Sequence, residues 1–335
     1  MIKAARYARY GVPEDVIEVV EIPDESPDKG QALLDVEAVS IWPHDLYSMQ
    51  NLKGFEERLP HIPGNKCIGT VGALGAGVTH LKEGDRVNVT HIAPGTWRES
   101  VCLDAENLRR VPANADVAQL SLLGNMLTSY YAFEDIVPLK KGDWIIQNGA
   151  NSSCGQFIIQ MAKLRGIHTV NVVRRPEIVP YLREIGGDVV LVDGPDLARD
   201  VTEATNDAPI PLAIDLAAGD ATQRLADCVA QDGTVACYGL MSDESAKIMV
   251  SDLMLKSIRL VGYFMGHSRR NRSHEEFGRV HDDLADLVAD GVLFAQIAAE
   301  YPLDAVKAAV IHQAKESTER PGKIILRPNA TAENT

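Results

Sequence analysis

Short runs of alternating apolar and polar residues occupy the first part of the chain, up to about residue 120. The clearest are QALLDVEAV, CIGTVGALG and DRVNVTHI, and turn signals such as Pro63-Gly64 and Gly84-Asp85 separate them. Alternation with a period of two is typical of strands that have one buried face and one solvent face. The pattern therefore predicts an antiparallel, barrel-like β domain.

From about residue 121, apolar strands alternate with amphipathic helices. DWIIQNG precedes the helical segment GQFIIQMAKLRG, and later strands include HTVNVVR, DVVLVD and GTVACYGL. This alternation is typical of a parallel sheet with helices on both faces, a doubly wound α/β fold. After about residue 265 a helix and short strands return, ending in GKIILRP. We predict that residues 1–118 and 263–335 form the β domain and that residues 119–262 form the doubly wound domain.

Composition narrows the function classes. The 335 residues are 45% hydrophobic and 24% charged, which is ordinary for a globular protein with a core. The formal net charge of −14 argues against nucleic acid and anionic membranes as partners. No apolar run reaches the roughly 20 residues that span a bilayer. Five scattered cysteines without a CxxC pair, and an N-terminus without an apolar targeting segment, lead us to expect a reduced, cytoplasmic protein.

A strand-to-helix turn at residues 148–155 has the character of a dinucleotide site. Backbone N–H groups at the start of the following helix can face a pyrophosphate. The candidate residues in this turn are Ser152, Ser153, Cys154 and Gly155. Only Gly149 and Gly155 remain of the usual glycines, so a capped helix without a ligand is the alternative interpretation.

The end of the next predicted strand indicates which cofactor such a site would take. An NAD site would carry an acidic residue there for the ribose hydroxyls. This chain has Arg174 and Arg175 instead, whose guanidinium groups can contact a 2′-phosphate. A solvated basic turn is the alternative. The turn at residues 148–155 and the two arginines together favour NADPH as the cofactor.

Several segments together resemble the medium-chain dehydrogenase/reductase superfamily, and within it the mitochondrial-type trans-2-enoyl-CoA/ACP reductases. The segments that carry the resemblance are Gly95-Thr96-Trp97-Arg98, Asn125-Met126-Leu127-Thr128-Ser129-Tyr130, Leu139-Lys140-Lys141-Gly142-Asp143, residues 146–156, Val172-Val173-Arg174 and Tyr238-Gly239-Leu240-Met241-Ser242. Their order and spacing extend over nearly the whole chain. The resemblance implies a GroES-like substrate domain, a Rossmann domain, a homodimer, and a nicotinamide held in the cleft between the domains.

The resemblance also implies further cofactor residues. Asn125 and Thr128 would approach the nicotinamide end. The later part of the cofactor cleft would be lined by Gly239, Met241, Tyr263 and Phe264.

Zinc is not expected, because its ligand positions carry other residues. Zinc members of the superfamily have a cysteine near Ile41 or Trp42 and then a Gly-His-Glu motif. Here that motif reads Gly64-Asn65-Lys66, and neither asparagine nor lysine is a zinc ligand at neutral pH. A weak site formed by His44, Asp45 and Cys67 is the alternative. Reduction of a polarised C=C bond requires hydride and proton delivery rather than the Lewis acid that alcohol oxidation uses.

The proton donor is the point where the chain departs from the family pattern. Alignment from Ile41 onwards places Lys53 where related enoyl-thioester reductases have a tyrosine thought to act on the enolate. Tyr47 matches an Asp-x-Tyr motif of the related quinone oxidoreductases, and its phenol can donate a hydrogen bond to an enolate oxygen. We therefore name Tyr47 and Lys53 as catalytic candidates; a packing tyrosine and an exposed loop lysine are the alternatives.

The substrate pocket is the least specified part. Trp42 stands where the family has a small asparagine and should narrow the pocket, and Trp97 and Phe264 are either apolar walls or ordinary core. Residues 267–272 form the densest basic stretch, in which Arg269 and Arg270 are candidates for contact with CoA phosphates or an acyl carrier protein. Solvated surface is the alternative.

Three hypotheses follow. The first is an NADPH-dependent oxidoreductase that reduces a trans-2-enoyl thioester of CoA or acyl carrier protein. The second is an NADPH-dependent quinone or enone oxidoreductase, which Tyr47 favours. The third is an NADPH-binding protein without catalytic activity.

Overall fold

The computed structural model describes residues 1–52, 54–91, 93, 95–239, 241–242, 244–315 and 320–330. Among these residues, no helix combines the length and apolar character needed to cross a membrane.

Strands and helices follow one another in the order that the hydrophobic pattern predicts. The strands are β1 (Ile2–Tyr7), β2 (Ile17–Ile22), β3 (Gln31–Ser40), β4 (Ile68–Leu74), β5 (Arg86–Val89), β6 (Ser100–Asp104), β7 (Leu108–Arg110), β8 (Trp144–Asn148), β9 (His168–Val173), β10 (Val189–Val192), β11 (Leu212–Asp215), β12 (Thr234–Cys237), β13 (Arg259–Gly262), β14 (Ile297–Pro302) and β15 (Lys323–Arg327). The helices are α1 (Pro13–Val16), α2 (Pro43–Met49), α3 (Val117–Leu120), α4 (Leu123–Asp135), α5 (Ser153–Arg165), α6 (Val179–Glu184), α7 (Leu197–Thr205), α8 (Asp220–Cys228), α9 (Val250–Leu255), α10 (Met265–Arg270), α11 (His274–Ala289) and α12 (Val306–Ala314).

The chain folds as two compact units. The first unit comprises residues 1–124 and 281–335, and the second comprises residues 125–280. The chain passes from the first unit to the second within α4 and returns within α11. The domain boundaries predicted from the sequence, at 118/119 and 262/263, stay a prediction.

The first unit is built on antiparallel pairing. A mixed sheet has the order β14-β15-β3-β4-β5-β7, with β6 paired to β3, and β1 and β2 form a separate hairpin. Only β14 and β15 run parallel to each other among these described pairs. Alternate residues of β3, including Ala32, Leu34 and Val36, are fully buried in the core of this unit. The period of two in the sequence therefore reflects one face turned inward.

The second unit is a six-stranded parallel sheet in the order β10-β9-β8-β11-β12-β13. This order reverses between β8 and β11, which makes their carboxyl ends the topological switch point of a Rossmann-type sheet. The central strands are apolar on both faces, and Ile145, Ile146, Leu212 and Ala213 are fully buried. The predicted α/β fold, with an antiparallel β domain and a doubly wound parallel-sheet domain, is confirmed.

Candidate functional site: a dinucleotide edge and a short helix

The predicted cofactor residues gather at one edge of the parallel sheet. The turn 149–152 follows β8, Arg174 follows β9, Gly239 follows β12, and Tyr263 follows β13. Because all these strands are parallel, their carboxyl ends share one edge. The sheet thereby brings residues from four distant parts of the sequence together.

The turn after β8 requires its two glycines. Gly149 has a φ of +59°, and a Cβ there would lie 2.6 Å from a side-chain carbon of Leu216. A Cβ on Gly155 would lie 2.6 Å from the carbonyl oxygen of Ala150, so a larger residue would force helix α5 away from the turn. Ser152 is the N-cap of α5, and its hydroxyl accepts a hydrogen bond from the N–H of Gly155 at 3.1 Å. The turn is thus a close-packed helix N-terminus of the kind that binds pyrophosphates.

A buried carboxylate stabilises the switch point between β8 and β11. The sequence analysis did not identify it. Asp215, at the end of β11, is fully buried. It accepts hydrogen bonds from Asn148 Nδ2 at 2.6 Å, from Thr222 Oγ1 at 2.6 Å, and from the N–H groups of Ala217 and Ala218 at 3.0 Å. The signal in the sequence is an acidic residue at the end of an otherwise apolar strand, PLAID.

Arg174 and Arg175 lie directly after β9, where a Rossmann sheet selects between the two nicotinamide cofactors. Arg174 is exposed, and no ion pair of its guanidinium is found within the described part of the chain; Arg175 is half-buried. No acidic residue stands at the end of β9. The arrangement offers cationic groups to a phosphate directly after β9.

Asn125 and Thr128 lie on α4 within the second unit. Asn125 is buried, its Nδ2 lies 3.4 Å from Cys154 Sγ, and its Oδ1 has no hydrogen-bond partner among the described residues. Tyr263 donates a hydrogen bond from its hydroxyl to the carbonyl oxygen of Thr128 at 3.1 Å, and burial raises the pKa of this phenol. These contacts join α4 to α5 and to the end of β13.

The remaining cofactor candidates differ in exposure. Gly239 packs against Leu216, the residue that follows β11. A Cβ on Gly239 would lie 2.5 Å from the carbonyl oxygen of Leu216. Met241 and Phe264 are exposed, by 56% and 63% respectively. An exposed apolar pair beside the carboxyl edge is available to an incoming ligand.

This edge fits a dinucleotide. The cradle at Gly149, Gly155 and Gly239 has no room for a Cβ, and the buried Asn125 Oδ1 is an acceptor without a donor in the described structure. A ligand amide could supply that donor, since buried polar atoms are normally paired. The donor groups of the turn and the exposed Arg174 guanidinium match the anionic parts of NADPH.

Tyr47, the catalytic candidate that the structure describes, belongs to the first unit and lies on the short helix α2. Tyr47 is half-buried, and its ring lies 6.1 Å from that of Phe55. Trp42 is the N-cap residue of α2, and the Lys323 ammonium lies 5.0 Å from the centre of its indole ring. Lys53 lies outside the described residues. Trp97 is fully buried in the core of this unit, against Gly64, which favours the packing alternative for its role.

The basic stretch 267–272 contains both packed and exposed side chains. The Arg269 guanidinium lies 4.4 Å from the ring centre of Phe277, and burial lowers its pKa. Arg272 forms an ion pair with Asp135 and lies 4.3 Å from the ring centre of Tyr131. Arg270 is exposed. Packing thus accounts for Arg269, one of the two arginines that the sequence made candidates for phosphate contact, and leaves Arg270 exposed.

The positions that hold zinc in related enzymes form a different arrangement here. Asn65 Nδ2 lies 3.0 Å from His44 Nε2, and Cys67 is buried, which raises the pKa of its thiol to about 12. In the described portion of the chain, no group of three or more His, Cys, Asp and Glu side chains could hold a metal ion.

Comparisons with known protein families place both units. Residues 28–124 match the alcohol dehydrogenase GroES-like domain, and residues 154–285 match the zinc-binding dehydrogenase domain. Together with the fold, these matches define the chain as a medium-chain dehydrogenase/reductase.

Whole-chain relatives narrow the family. The chain is 31% identical over 315 residues to the mitochondrial enoyl-[acyl-carrier-protein] reductase of Rattus norvegicus, covering 92% of this chain and 84% of the relative. It is 30% identical over 315 residues to the corresponding protein of Homo sapiens, with the same coverage. The chain belongs to the mitochondrial-type enoyl-[acyl-carrier-protein] reductase family of the medium-chain dehydrogenases/reductases.

Solved structures share the architecture. A mycobacterial quinone oxidoreductase superposes with a TM-score of 0.85 at 25% identity, covering 98% of this chain and 100% of that one. The complex of Etr1p with NADP and crotonyl-CoA superposes with a TM-score of 0.84 at 22% identity, covering 97% of this chain and 99% of that one. At this identity the second likeness concerns the fold alone.

Proposed function

We propose that this protein is an NADPH-dependent reductase of an activated C=C bond, with a trans-2-enoyl thioester as its substrate class. The observation that carries the proposal is the carboxyl edge of the parallel sheet, where a glycine cradle at a helix N-terminus is followed by Arg174 instead of an acid. Membership of the enoyl reductase family supports the choice of an enoyl thioester.

Residues of the second unit would hold the cofactor. The first turn of α5, from Ser152 to Gly155, would take the pyrophosphate, Arg174 and Arg175 the 2′-phosphate, and Asn125 with Thr128 the nicotinamide end. Gly239, Met241, Tyr263 and Phe264 would complete the cleft. When bound, NADPH supplies the hydride that the substrate's β-carbon receives.

Tyr47 and Lys53 of the first unit would act on the thioester group. The ring of Phe55 lies beside that of Tyr47 and would shield the acyl chain from water. The Tyr47 phenol would donate a hydrogen bond to the thioester oxygen as negative charge develops there, and Lys53 would contribute positive charge.

The test follows NADPH absorbance with three substrates in parallel: crotonyl-CoA, a naphthoquinone and a simple enone. We expect rapid oxidation with the thioester. Activity with the quinone alone would establish the second candidate, which the likeness to quinone oxidoreductases at 25% identity and Tyr47 favour. Tight NADPH binding without turnover of any of the three would overturn both in favour of a non-catalytic binding protein.

Cofactor choice has its own test. Arg174→Ala should weaken NADPH binding at least tenfold, because a charge-assisted hydrogen bond contributes about 1.5–3 kcal/mol, and should leave NADH binding unchanged. Arg183→Ala on α6 is the matched control, since it removes an arginine of the same unit away from β9. Equal weakening of both cofactors, measured by fluorescence titration, would contradict the proposal.

A homodimer belongs to the same proposal. The edge strand β13 exposes Leu260 by 38%, and helix α9 exposes Met254 and Leu255 by 71% and 77%. An apolar sheet edge of this kind needs a cover, and a second copy of β13 would supply one. Leu255→Lys should yield monomers in sedimentation velocity, whereas Leu164→Lys, an exposed leucine on α5, should not.

Carrier and compartment complete the proposal. A CoA thioester and its acyl carrier protein counterpart are distinguished by comparing kcat/KM for crotonyl groups on each carrier.

We propose a reduced, cytoplasmic location, which the absence of disulfides among the five cysteines supports. Import of the tagged protein into mitochondria, the compartment in the relatives' names, would contradict it.

A further inference from the structure

The first turn of helix α5 carries a thiol that packs against helix α4. Cys154 is the second residue of α5 and follows the N-cap Ser152 by two positions. Its side chain is 9% exposed, and it contacts Asn125 of α4, which is 5% exposed. All three residues belong to the second unit. The close packing of the turn depends on Gly149 and Gly155 and does not require a thiol, so the contact between Cys154 and Asn125 calls for its own explanation.

Cys154 contacts both the side chain and the backbone of Asn125. Nδ2 of Asn125 lies 3.4 Å from Sγ, and Sγ lies 3.8 Å from the backbone carbonyl oxygen of Asn125. A thiol is a weak donor and a weak acceptor, so it can donate to the carbonyl and accept from the amide N–H at the same time. Ser129 of α4 holds the same pair together, because its Oγ lies 3.1 Å from the carbonyl oxygen of Asn125 and 2.9 Å from that of Cys154.

The contact with sulfur sets the orientation of the Asn125 amide. The donor nitrogen and the acceptor oxygen of a side-chain amide point in different directions. With Nδ2 directed at Cys154, Oδ1 is directed elsewhere, and this oxygen is buried without a hydrogen-bond partner among the described residues. Buried polar atoms are normally paired, so the oxygen marks the place of an N–H donor that a ligand brings.

The carboxamide of nicotinamide has such a donor. Within the proposed function, Asn125 lies at the nicotinamide end of the cofactor, where Oδ1 would accept a hydrogen bond from the carboxamide NH₂ group. With the amide reversed, Nδ2 would face the ligand and would be satisfied by any carbonyl oxygen, including that of a ketone. The orientation of this one amide therefore decides whether the site requires an NH₂ group.

We propose that Cys154 is a positioning residue for cofactor recognition. By accepting the N–H of Asn125, it keeps Oδ1 as an acceptor and makes the site selective for a carboxamide over a ketone at the nicotinamide ring. The proposal rests on the proposed function, in its choice of NADPH as the cofactor. It needs only residues of the second unit.

The test compares the dissociation constants of NADPH and of its reduced 3-acetylpyridine analogue, in which a methyl ketone replaces the carboxamide, by isothermal titration calorimetry. Wild type should bind NADPH about tenfold more tightly than the analogue, because the ketone leaves the buried Oδ1 without a donor. Cys154→Val and Cys154→Ala both remove the sulfur and should lower this ratio to less than about threefold, since the amide can then reverse. Cys154→Ser keeps an acceptor at this position and should keep the ratio.

Two further variants separate positioning from a general effect on the fold. Cys228→Val is the matched control, since Cys228 lies on α8 of the same unit and its Sγ donates to the carbonyl oxygen of Arg224 at 3.1 Å. It should keep the wild-type ratio. Asn125→Ala removes the acceptor itself and should abolish the preference for the carboxamide.

The ratio distinguishes a failure of this proposal from a failure of the proposed function. A ratio that stays near the wild-type value in Cys154→Val and Cys154→Ala would overturn the positioning role alone, and so would a wild-type protein that binds NADPH and the analogue equally. A wild-type protein that binds neither cofactor would overturn the proposed function and the positioning role together.

Discussion

The two units of this protein specify their functional residues in different ways. In the second unit, the candidate residues other than Asn125 and Thr128 follow the carboxyl ends of β8, β9, β12 and β13, so one repeated pattern brings them to one edge. In the first unit, Tyr47 lies on the seven-residue helix α2, and contacts to this helix and its N-cap come from Asn65 and Phe55, which follow it in the chain, and from Lys323 of the distant strand β15. Periodic sequence thus identifies a cofactor site, whereas the substrate side depends on packing between segments far apart in the sequence.

Each unit also contains a buried polar network. In the second unit, Asp215 ties the ends of β8 and β11 together. In the first unit, His281 is fully buried, with Nε2 2.8 Å from Asn88 Nδ2 and Nδ1 3.2 Å from Asp282, which is itself paired with Arg109. The network of Asp215 stabilises the carboxyl edge of the parallel sheet, where the cofactor candidates lie. The network of His281 connects helix α11 to strands β5 and β7.

The largest expected effect is on the second unit. Asp215→Ala leaves the N–H group of Ala218, the hydroxyl of Thr222 and the Nδ2 amide of Asn148 without their acceptor, at about 1–3 kcal/mol for each buried donor. We expect a loss of about 3 kcal/mol or more in the free energy of unfolding of this unit, followed through Trp144 fluorescence in urea. Asp196→Ala, which removes an exposed carboxylate, is the control and should change the free energy of unfolding by less than about 0.5 kcal/mol. Equal effects would show that the switch point does not depend on this network.

A smaller, pH-dependent effect is expected in the first unit. Burial lowers the pKa of His281, so the folded chain holds this ring neutral at pH values where the unfolded chain, with a pKa near 6.5, binds a proton. The free energy of unfolding should therefore be fully retained above about pH 6.5. Below about pH 6.5 the free energy of unfolding should fall by up to about 1.4 kcal/mol per pH unit, until the pH reaches the lowered pKa of His281.

The fluorescence of the first unit reports this effect, since Trp42 and Trp97 belong to it and Trp144→Phe removes the signal of the second. His281→Gln should flatten the acid slope, and His274→Gln, which replaces an exposed histidine, should not. An unchanged slope in His281→Gln would mean that other groups cause the acid sensitivity.

The smallest expected effect concerns the basic stretch. Arg270 is exposed on α10, and we expect Arg270→Ala to raise the KM for crotonyl-CoA less than threefold, because an exposed charge contributes little in water. Arg272→Ala should instead lower the melting temperature, since it removes the ion pair with Asp135 and the contact with Tyr131. A tenfold rise in KM with Arg270→Ala would restore the stretch as a site for CoA phosphates.

Some features of the candidate site could be predicted from the sequence because they depend on local geometry. The turn after β8 needs glycine where φ is positive and where the helix approaches closely, and these needs are visible in the residues themselves. The place of Arg174 follows from counting to the end of the next strand. The network of Asp215 was missed, although a carboxylate at the end of an apolar strand was a usable signal.

Other features could not be predicted because they depend on which face of an element is turned inward. Arg269 and Arg272 are three residues apart and meet the aromatic rings of α4 and α11, whereas Arg270 points outward. Trp97 could have been a pocket wall, and only the structure shows it fully buried against Gly64. His44 entered the sequence analysis only as a member of a weak metal site.

The sequence by itself determined the two fold classes, the order of their elements, the dinucleotide turn and the cationic end of β9. These are set by periods of two and 3.6, by glycine geometry and by the residue type after a strand, which are all local properties. Only the tertiary structure decided that Asp215 connects the ends of β8 and β11 at the switch point. It alone decided that Arg269 and Arg272 pack on aromatic rings and that Asn65 and Asp45 lie next to the same ring nitrogen of His44. The physical reason is that hydrogen bonds and ring contacts between distant segments require coordinates in space, which no spacing along the chain contains.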